Sequence, residues 1–234
     1  MKFYSSLNSL KKSLIYVFLF FLASCTSSIQ QTPPQQNKTN LNRLSIPLAP
    51  LNQWSERKFV GSTDYQIISE PSKKSTILSA KSNQSASLLF KKMPIDLNKT
   101  PYINWQWKVQ GTYTNNFDET KKNGDDFPAR IYIAIKPQLG HIKPRALTYV
   151  WASHAKKLSH WKNPFAKTVK ILALQSGEEF SGRWINEKRN LKEDLSKLFG
   201  QSIDSIEGIG IMTDTDNSKT TGEAQYQTLF FSSN

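Results

Sequence analysis

A single cysteine, Cys25, stands in a chain of 234 residues. It has no partner for an intrachain disulfide, and the thiols are too few for a structural zinc site. Histidine is almost as scarce. His141, His154 and His160 form no HExxH pair, which argues against a zinc hydrolase. No GxxxxGK[ST] or GxGxxG loop occurs, which argues against nucleotide-driven chemistry, and no GxSxG elbow marks a serine nucleophile. No apolar run reaches the roughly 20 residues of a membrane span. Hydrophobic residues at 38% and charged residues at 21% exclude both a polytopic membrane protein and a fully disordered chain. Acids are in deficit, 18 against 31 bases, for a net charge of +13. Such a field attracts polyanions. The lysines, however, are scattered singly and in pairs, such as Lys91-Lys92 and Lys156-Lys157, without an arginine-rich helix. The excess therefore reads as solubility, and no nucleic acid is expected as a partner.

What is present begins at the amino terminus. Lys2, Lys11 and Lys12 precede an uncharged run, Leu14 to Ala23, whose length matches the roughly 7–15 residue core of a secretory signal. The run closes on Leu22-Ala23-Ser24-Cys25, which resembles a bacterial lipobox. On that reading residues 1–24 are a lipoprotein signal peptide and Cys25 is the lipidated residue. The mature chain would carry 28 bases against 18 acids, about +10. Acyl chains contributing about 0.8 kcal/mol per buried methylene would anchor it to a membrane. Thr26, rather than the aspartate that resembles an inner-membrane retention signal, favours the periplasmic side of the outer membrane. Residues 25–51 are rich in Gln, Asn, Ser, Thr and Pro, lack acids and show no apolar period, as expected of a disordered tether.

Residues 52–234 read as one β-rich domain. Short apolar-alternating runs bounded by turn residues recur at Thr76–Ala80, Ser85–Phe90, Tyr102–Val109, Ala129–Ile135, Leu147–Trp151, Val169–Ala173, Gly208–Thr213 and Gln225–Phe231. In Tyr102–Val109, Trp105, Trp107 and Val109 share one face, while Asn104, Gln106 and Lys108 share the other. Ile131, Ile133 and Ile135 oppose Arg130 and Tyr132 in the same way. This pattern predicts a mainly β fold: a two-sheet antiparallel β-sandwich of jelly-roll type. One late amphipathic helix is predicted from Leu191, Leu195, Leu198 and Phe199, with Asn190 and Glu193 at its start and Gly200 at its end.

Several segments mix charge with aromatics where a plain sheet needs neither. They are Asn104 to Val109, Gly124 to Tyr132, Thr148 to Trp151, Gly182 to Trp184 with Glu187 to Asn190, and Met212 to Asn217. In this order and spacing they resemble the bacterial family known as domain of unknown function 3047, over roughly Phe59 to Ser232. The resemblance implies an exported β-sandwich akin to carbohydrate-binding modules. It carries no catalytic role, because that family has no established activity.

Three candidate sites follow from the residues themselves. Asp214-Thr215-Asp216-Asn217, after a strand, and Asp125-Asp126, before another, supply hard oxygen ligands of the kind calcium takes. Turn and salt-bridge roles are the stronger reading, so no metal and no cofactor is expected. Carboxylates drawn from Asp125, Asp126, Glu187, Asp214 and Asp216 could serve an acid–base pair, if Arg130, Arg183 and Arg189 do not tie them up. Arg130 is expected to be held by at least one of Asp125, Asp126, Asp214 and Asp216. Six tryptophans could supply an aromatic face. Trp105 and Trp107 alternate with polar residues as core residues do, whereas Trp161 lies in a polar stretch without strand period and is expected to line a surface groove. The ligand-binding set expected is therefore Trp151, Trp161, Asp125, Asp126, Arg130, Asp214 and Asp216. The expected role is a non-catalytic, membrane-tethered module binding an envelope glycan. An envelope glycan hydrolase and a lipoprotein that docks a protein partner are the alternatives.

Overall fold

Strict alternation in the sequence becomes a pair of packed sheets. The structure, a computed structural model, describes residues 43–70, 75–137 and 143–234. All of them belong to one compact unit, Lys38–Asn234. The signal-peptide segment 1–24, Cys25 and the tether up to residue 42 lie outside the described residues. Among the described residues thirteen strands run in chain order: β1 (Arg43–Ser45), β2 (Ser55–Val60), β3 (Asp64–Glu70), β4 (Ser75–Asn83), β5 (Ala86–Asp96), β6 (Tyr102–Val109), β7 (Ala129–Ile135), β8 (Ala146–Ala152), β9 (His160–Lys162), β10 (Val169–Ser176), β11 (Ile185–Asn190), β12 (Ser205–Met212) and β13 (Thr221–Ser232). One sheet has the order β11-β6-β13-β4-β3, with β1 also paired to β13; the other has the order β2-β5-β12-β7-β8-β10-β9. The fold is a mainly β, two-sheet sandwich of jelly-roll type.

Two expectations need correction here. The second sheet is mixed, because β8 and β10 run parallel; the 153–168 segment, including β9, returns the chain to the same end. Parallel neighbours require such a crossover. The folded unit also starts earlier than residue 52. β1 pairs with β13, and Ile46 and Leu48 are buried in the core, so residues 43–51 are structural and not tether.

The core lies between the sheets. Trp105 stacks on Tyr149 at 5.5 Å between ring centroids and meets Trp107 edge-on at 5.3 Å. Trp107 reaches Trp151 at 6.0 Å. Such pairs stabilise by about 0.5–1.5 kcal/mol beyond their area burial. A smaller apolar cluster sits on the opposite face of the seven-stranded sheet, where Phe127, Val150, Ala152, Ile171 and Ala173 pack with Trp161. The helix α1 (Leu191–Phe199) buries Leu191 and Leu195. Its start is capped by the Asn190 side chain, which accepts from the Glu193 backbone N–H at 3.1 Å. It ends on Gly200 at φ 69°, a left-handed conformation that glycine adopts without a Cβ penalty.

Candidate functional site

Arg130 alternates with the isoleucines of β7, so its side chain leaves the core on the other face of the sheet. There it meets the acids that the sequence placed at two strand ends. Arg130 Nε donates to Asp214 Oδ1 at 2.7 Å, and Nη2 donates both to Asp214 Oδ2 and to the Asp125 carbonyl. Nη1 lies 3.5 Å from Asp125 Oδ1. The guanidinium also sits 4.4 Å from the Phe127 ring centroid. The expected bridge is therefore present as a two-pronged contact, the strongest arginine–carboxylate geometry.

Backbone and amide groups hold the remaining acids. Asp125 Oδ2 accepts from Asn163 Nδ2 at 2.8 Å. Asp126 accepts from Asn217 Nδ2 at 3.0 Å and from the Ser218 backbone N–H. Tyr113 donates its hydroxyl to the Asp214 carbonyl at 2.9 Å. Burial pushes the Asp214 carboxyl up to about 8, although Arg130 pulls against it. Burial also raises Asp125, opposed by Arg130 and Asn163. Asp216 is raised by burial and by the neighbouring Asp126. Burial works against the Arg130 charge, but Asp214 and then Asp125 outweigh it and hold the guanidinium above its ordinary range. One guanidinium thus opposes, without cancelling, the upward push of burial on Asp125, Asp214 and Asp216.

This cluster is closed to large ligands. Asp125, Asp126, Arg130 and Asp214 are 6%, 3%, 6% and 1% exposed; Asp216 alone is half-buried. One oxygen each from Asp126, Asp214 and Asp216 lie within 4.8 Å of one another, a spacing a cation could share. Arg130 already engages both Asp214 oxygens, and Asn217 and Ser218 engage Asp126. Glu187 stands apart on β11, where it accepts from Gln175 Nε2 at 2.6 Å.

The tryptophans correct the expected aromatic face. Trp151 is fully buried and donates Nε1 to the Gly177 carbonyl at 3.1 Å, because it occupies an inward position of β8. Trp161 is not in a loop. It lies on the short edge strand β9, opposite Ile171, and packs its half-buried ring 6.1 Å from Phe127. Backbone pairing to β10 places it there, which side-chain periodicity over three residues cannot reveal.

The open polar surface is elsewhere, on the outer face of the six-stranded sheet. Inward positions of β6 carry the tryptophans, so Asn104, Gln106 and Lys108 face outward. Register then aligns Gln66, Ser79, Gln225 and Lys108 in one row across the strands. Gln227, Gln106 and Asn186 form the next, and Phe230, Asn104 and Lys188 the one after. Gln106 donates to Asn186 Oδ1 and accepts from Thr228 Oγ1 at 3.1 Å. Thr228 sits at a bulge in β13 with φ 54°, a left-handed conformation costly for a β-branched residue. Concavities open on this face. One of about 600 Å³ is bounded by Asp64, Lys81, Gln110 and Glu223; one of about 190 Å³ lies over Asn104, Gln106, Asn186 and Phe230. Alternation in Tyr102–Val109 separates the polar half of β6 from its core half, but the platform itself depends on strand order. The available signal was the repetition of amides on the polar half of several strands.

Fold and surface together define a β-sandwich with a buried acid–arginine cluster under one sheet and an amide-rich platform on the other. The chain belongs to the family described as Protein of unknown function (DUF3047), whose model matches residues 52–230. No curated protein matches it. Among solved structures it is similar to a family 11 carbohydrate-binding module of the cellulosomal cellulase Lic26A-Cel5E of Clostridium thermocellum. That likeness has 12% identity and a TM-score of 0.42, over 79% of this chain and 89% of that one. It is also similar to a cellulase derived from Cel12A of Rhodothermus marinus, with 9% identity, a TM-score of 0.42 and coverage of 80% and 96%. A family 12 xyloglucanase from Bacillus licheniformis gives 10% identity, a TM-score of 0.38 and coverage of 75% and 98%.

Proposed function

We propose that this protein is a non-catalytic glycan-binding module of the bacterial cell envelope, held at the membrane through a lipidated Cys25. The observation that carries the reading is the amide platform. A primary amide offers donors and an acceptor in one plane, which suits ring hydroxyl and acetamido groups. Gln66, Gln106, Asn104, Asn186, Gln225 and Gln227 repeat that offer across four strands. The hydrolase alternative is less well supported, because three of its candidate acids are buried around Arg130 and Glu187 stands away from them.

The test is retention of the full chain, in detergent, on insoluble peptidoglycan and on immobilised envelope polysaccharide. Wild type should be retained on at least one polymer, and Gln106→Ala with Asn186→Ala should weaken retention about tenfold while leaving the melting temperature nearly unchanged. Failure of wild type to bind either polymer at low salt overturns the reading. Release of soluble sugar fragments would instead favour the hydrolase, with Asp216 as the first residue to replace.

A further inference from the structure

On the side of the sandwich away from the platform, two segments lock together beside edge strand β9. Glu119 spends its carboxylate on three backbone N–H groups, those of Ser153 (2.6 Å), His154 (3.3 Å) and Ala155 (2.6 Å). His154 Nε2 lies 2.6 Å from the Asn115 carbonyl oxygen, and Lys122 Nζ sits 5.2 Å from the Phe165 ring centroid. Residues 115–122 and 154–168 therefore form one continuous rim.

This rim has an unusual combination of side chains. Phe117, Leu158 and Phe165 are 40%, 57% and 58% exposed, half of the large apolar side chains found exposed among the described residues. Around them Lys121, Lys122, Lys156, Lys157, Lys162 and Lys167 are all exposed. The acids of the two segments are Asp118, which is exposed, and Glu119, which is buried and occupied. Apolar tips among cations, with almost no opposing acid, match the boundary layer of an anionic bilayer, where acyl chains take the tips and head groups the ammonium groups.

We infer that the rim formed by residues 115–122 and 154–168 docks on an anionic lipid bilayer, independently of any covalent anchor. A protein partner is a poorer fit, since a surface this rich in lysine is the opposite of a typical interface core. A polysaccharide would recruit the lysines but not the three apolar tips.

The experiment is co-sedimentation of residues 26–234, which include the whole compact unit Lys38–Asn234 but neither the leader nor Cys25. The probes are vesicles of equal phosphatidylglycerol and phosphatidylcholine, against vesicles of phosphatidylcholine alone. Binding to the anionic vesicles at 0.1 M salt is expected, falling about tenfold or more on neutral vesicles and at high salt. Leu158→Ser with Phe165→Ser should cut partitioning about tenfold with the thermal melt unchanged, and Lys156→Glu with Lys162→Glu should cut it at least as far. Lys58→Glu with Lys92→Glu, on the opposite edge of the same sheet, should retain most of the binding. Equal binding to neutral and anionic vesicles overturns the inference. So does undiminished binding by the serine variant, an equal loss from the opposite-edge variant, or no sedimentation of wild type.

Discussion

Replacing Arg130 by alanine should unfold this protein far more readily, and pH should reveal why. Arg130 and Asp214 are both almost wholly buried, and the guanidinium makes two contacts to that carboxylate and one to the Asp125 carbonyl. Removing one side of a buried pair costs about 3–5 kcal/mol. For a domain of this length that is a fall of roughly 6–20 °C in melting temperature. Asp125, Asp214 and Asp216 have folded-state pKa values raised above the unfolded range, Asp214 to about 8. A raised carboxyl binds its proton more tightly in the folded state, so its contribution is complete in acid and fades as pH rises through the folded value. Wild-type stability should accordingly decline between about pH 4 and 8 through these groups. Without the guanidinium opposing it, the carboxyl of Asp214 rises further, and the deficit of Arg130→Ala should widen from pH 5 to pH 8.5. Thermal melts followed by circular dichroism across that range give the measurement. Arg130→Met with Asp214→Asn, which removes both charges and keeps the volume, should recover part of the loss. A single mutant melting within a degree of wild type at pH 7.5, or a deficit that narrows with rising pH, would refute the reasoning.

Glu119→Ala removes the acceptor for three backbone N–H groups in a buried setting and should cost roughly 3 kcal/mol, read as an earlier urea midpoint; Glu119→Gln should recover part of it. Cys25→Ala should abolish palmitate incorporation in a bacterial host and leave an unprocessed precursor, and unchanged labelling would remove the anchor from the proposed function.

Burial patterns governed what the sequence could disclose. Tyr102–Val109 and Ala129–Ile135 are strands with the bounds their alternation predicts, because one side of each faces the core at every second residue. The helix was legible through its caps, Asn190 and Gly200. Edge strands were not. Every residue of β2 is exposed, β11 reads Ile-Asn-Glu-Lys-Arg-Asn, and β9 has three residues; backbone pairing places these strands, and leaves little hydrophobic period to read. The convergence of Asp125, Asp214 and Arg130 was visible as charges at neighbouring strand ends. Their near-complete burial was not, since it depends on Phe127 and the 214–218 segment closing over them. The amide platform needed strand order, because its rows join residues more than a hundred positions apart, such as Gln66 and Gln225 on either side of Ser79.

Strand β13 governs the order in which the six-stranded sheet is assembled. β13 contacts β6 along one edge, and β4 and then β1 along the other, so the middle of the six-stranded sheet is supplied by Thr221–Ser232. A growing chain can pair β3 with β4, and later β6 with β11, but these two ribbons share no neighbour until Thr221–Ser232 arrives. Such distant pairings are closed late and slowly. Until Thr221–Ser232 is available one edge of β6 stays unpaired, so the unfinished chain is a client for holding factors and a target for proteases. A premature stop between Asn190 and Thr221 would leave two open ribbons in place of a shortened sandwich.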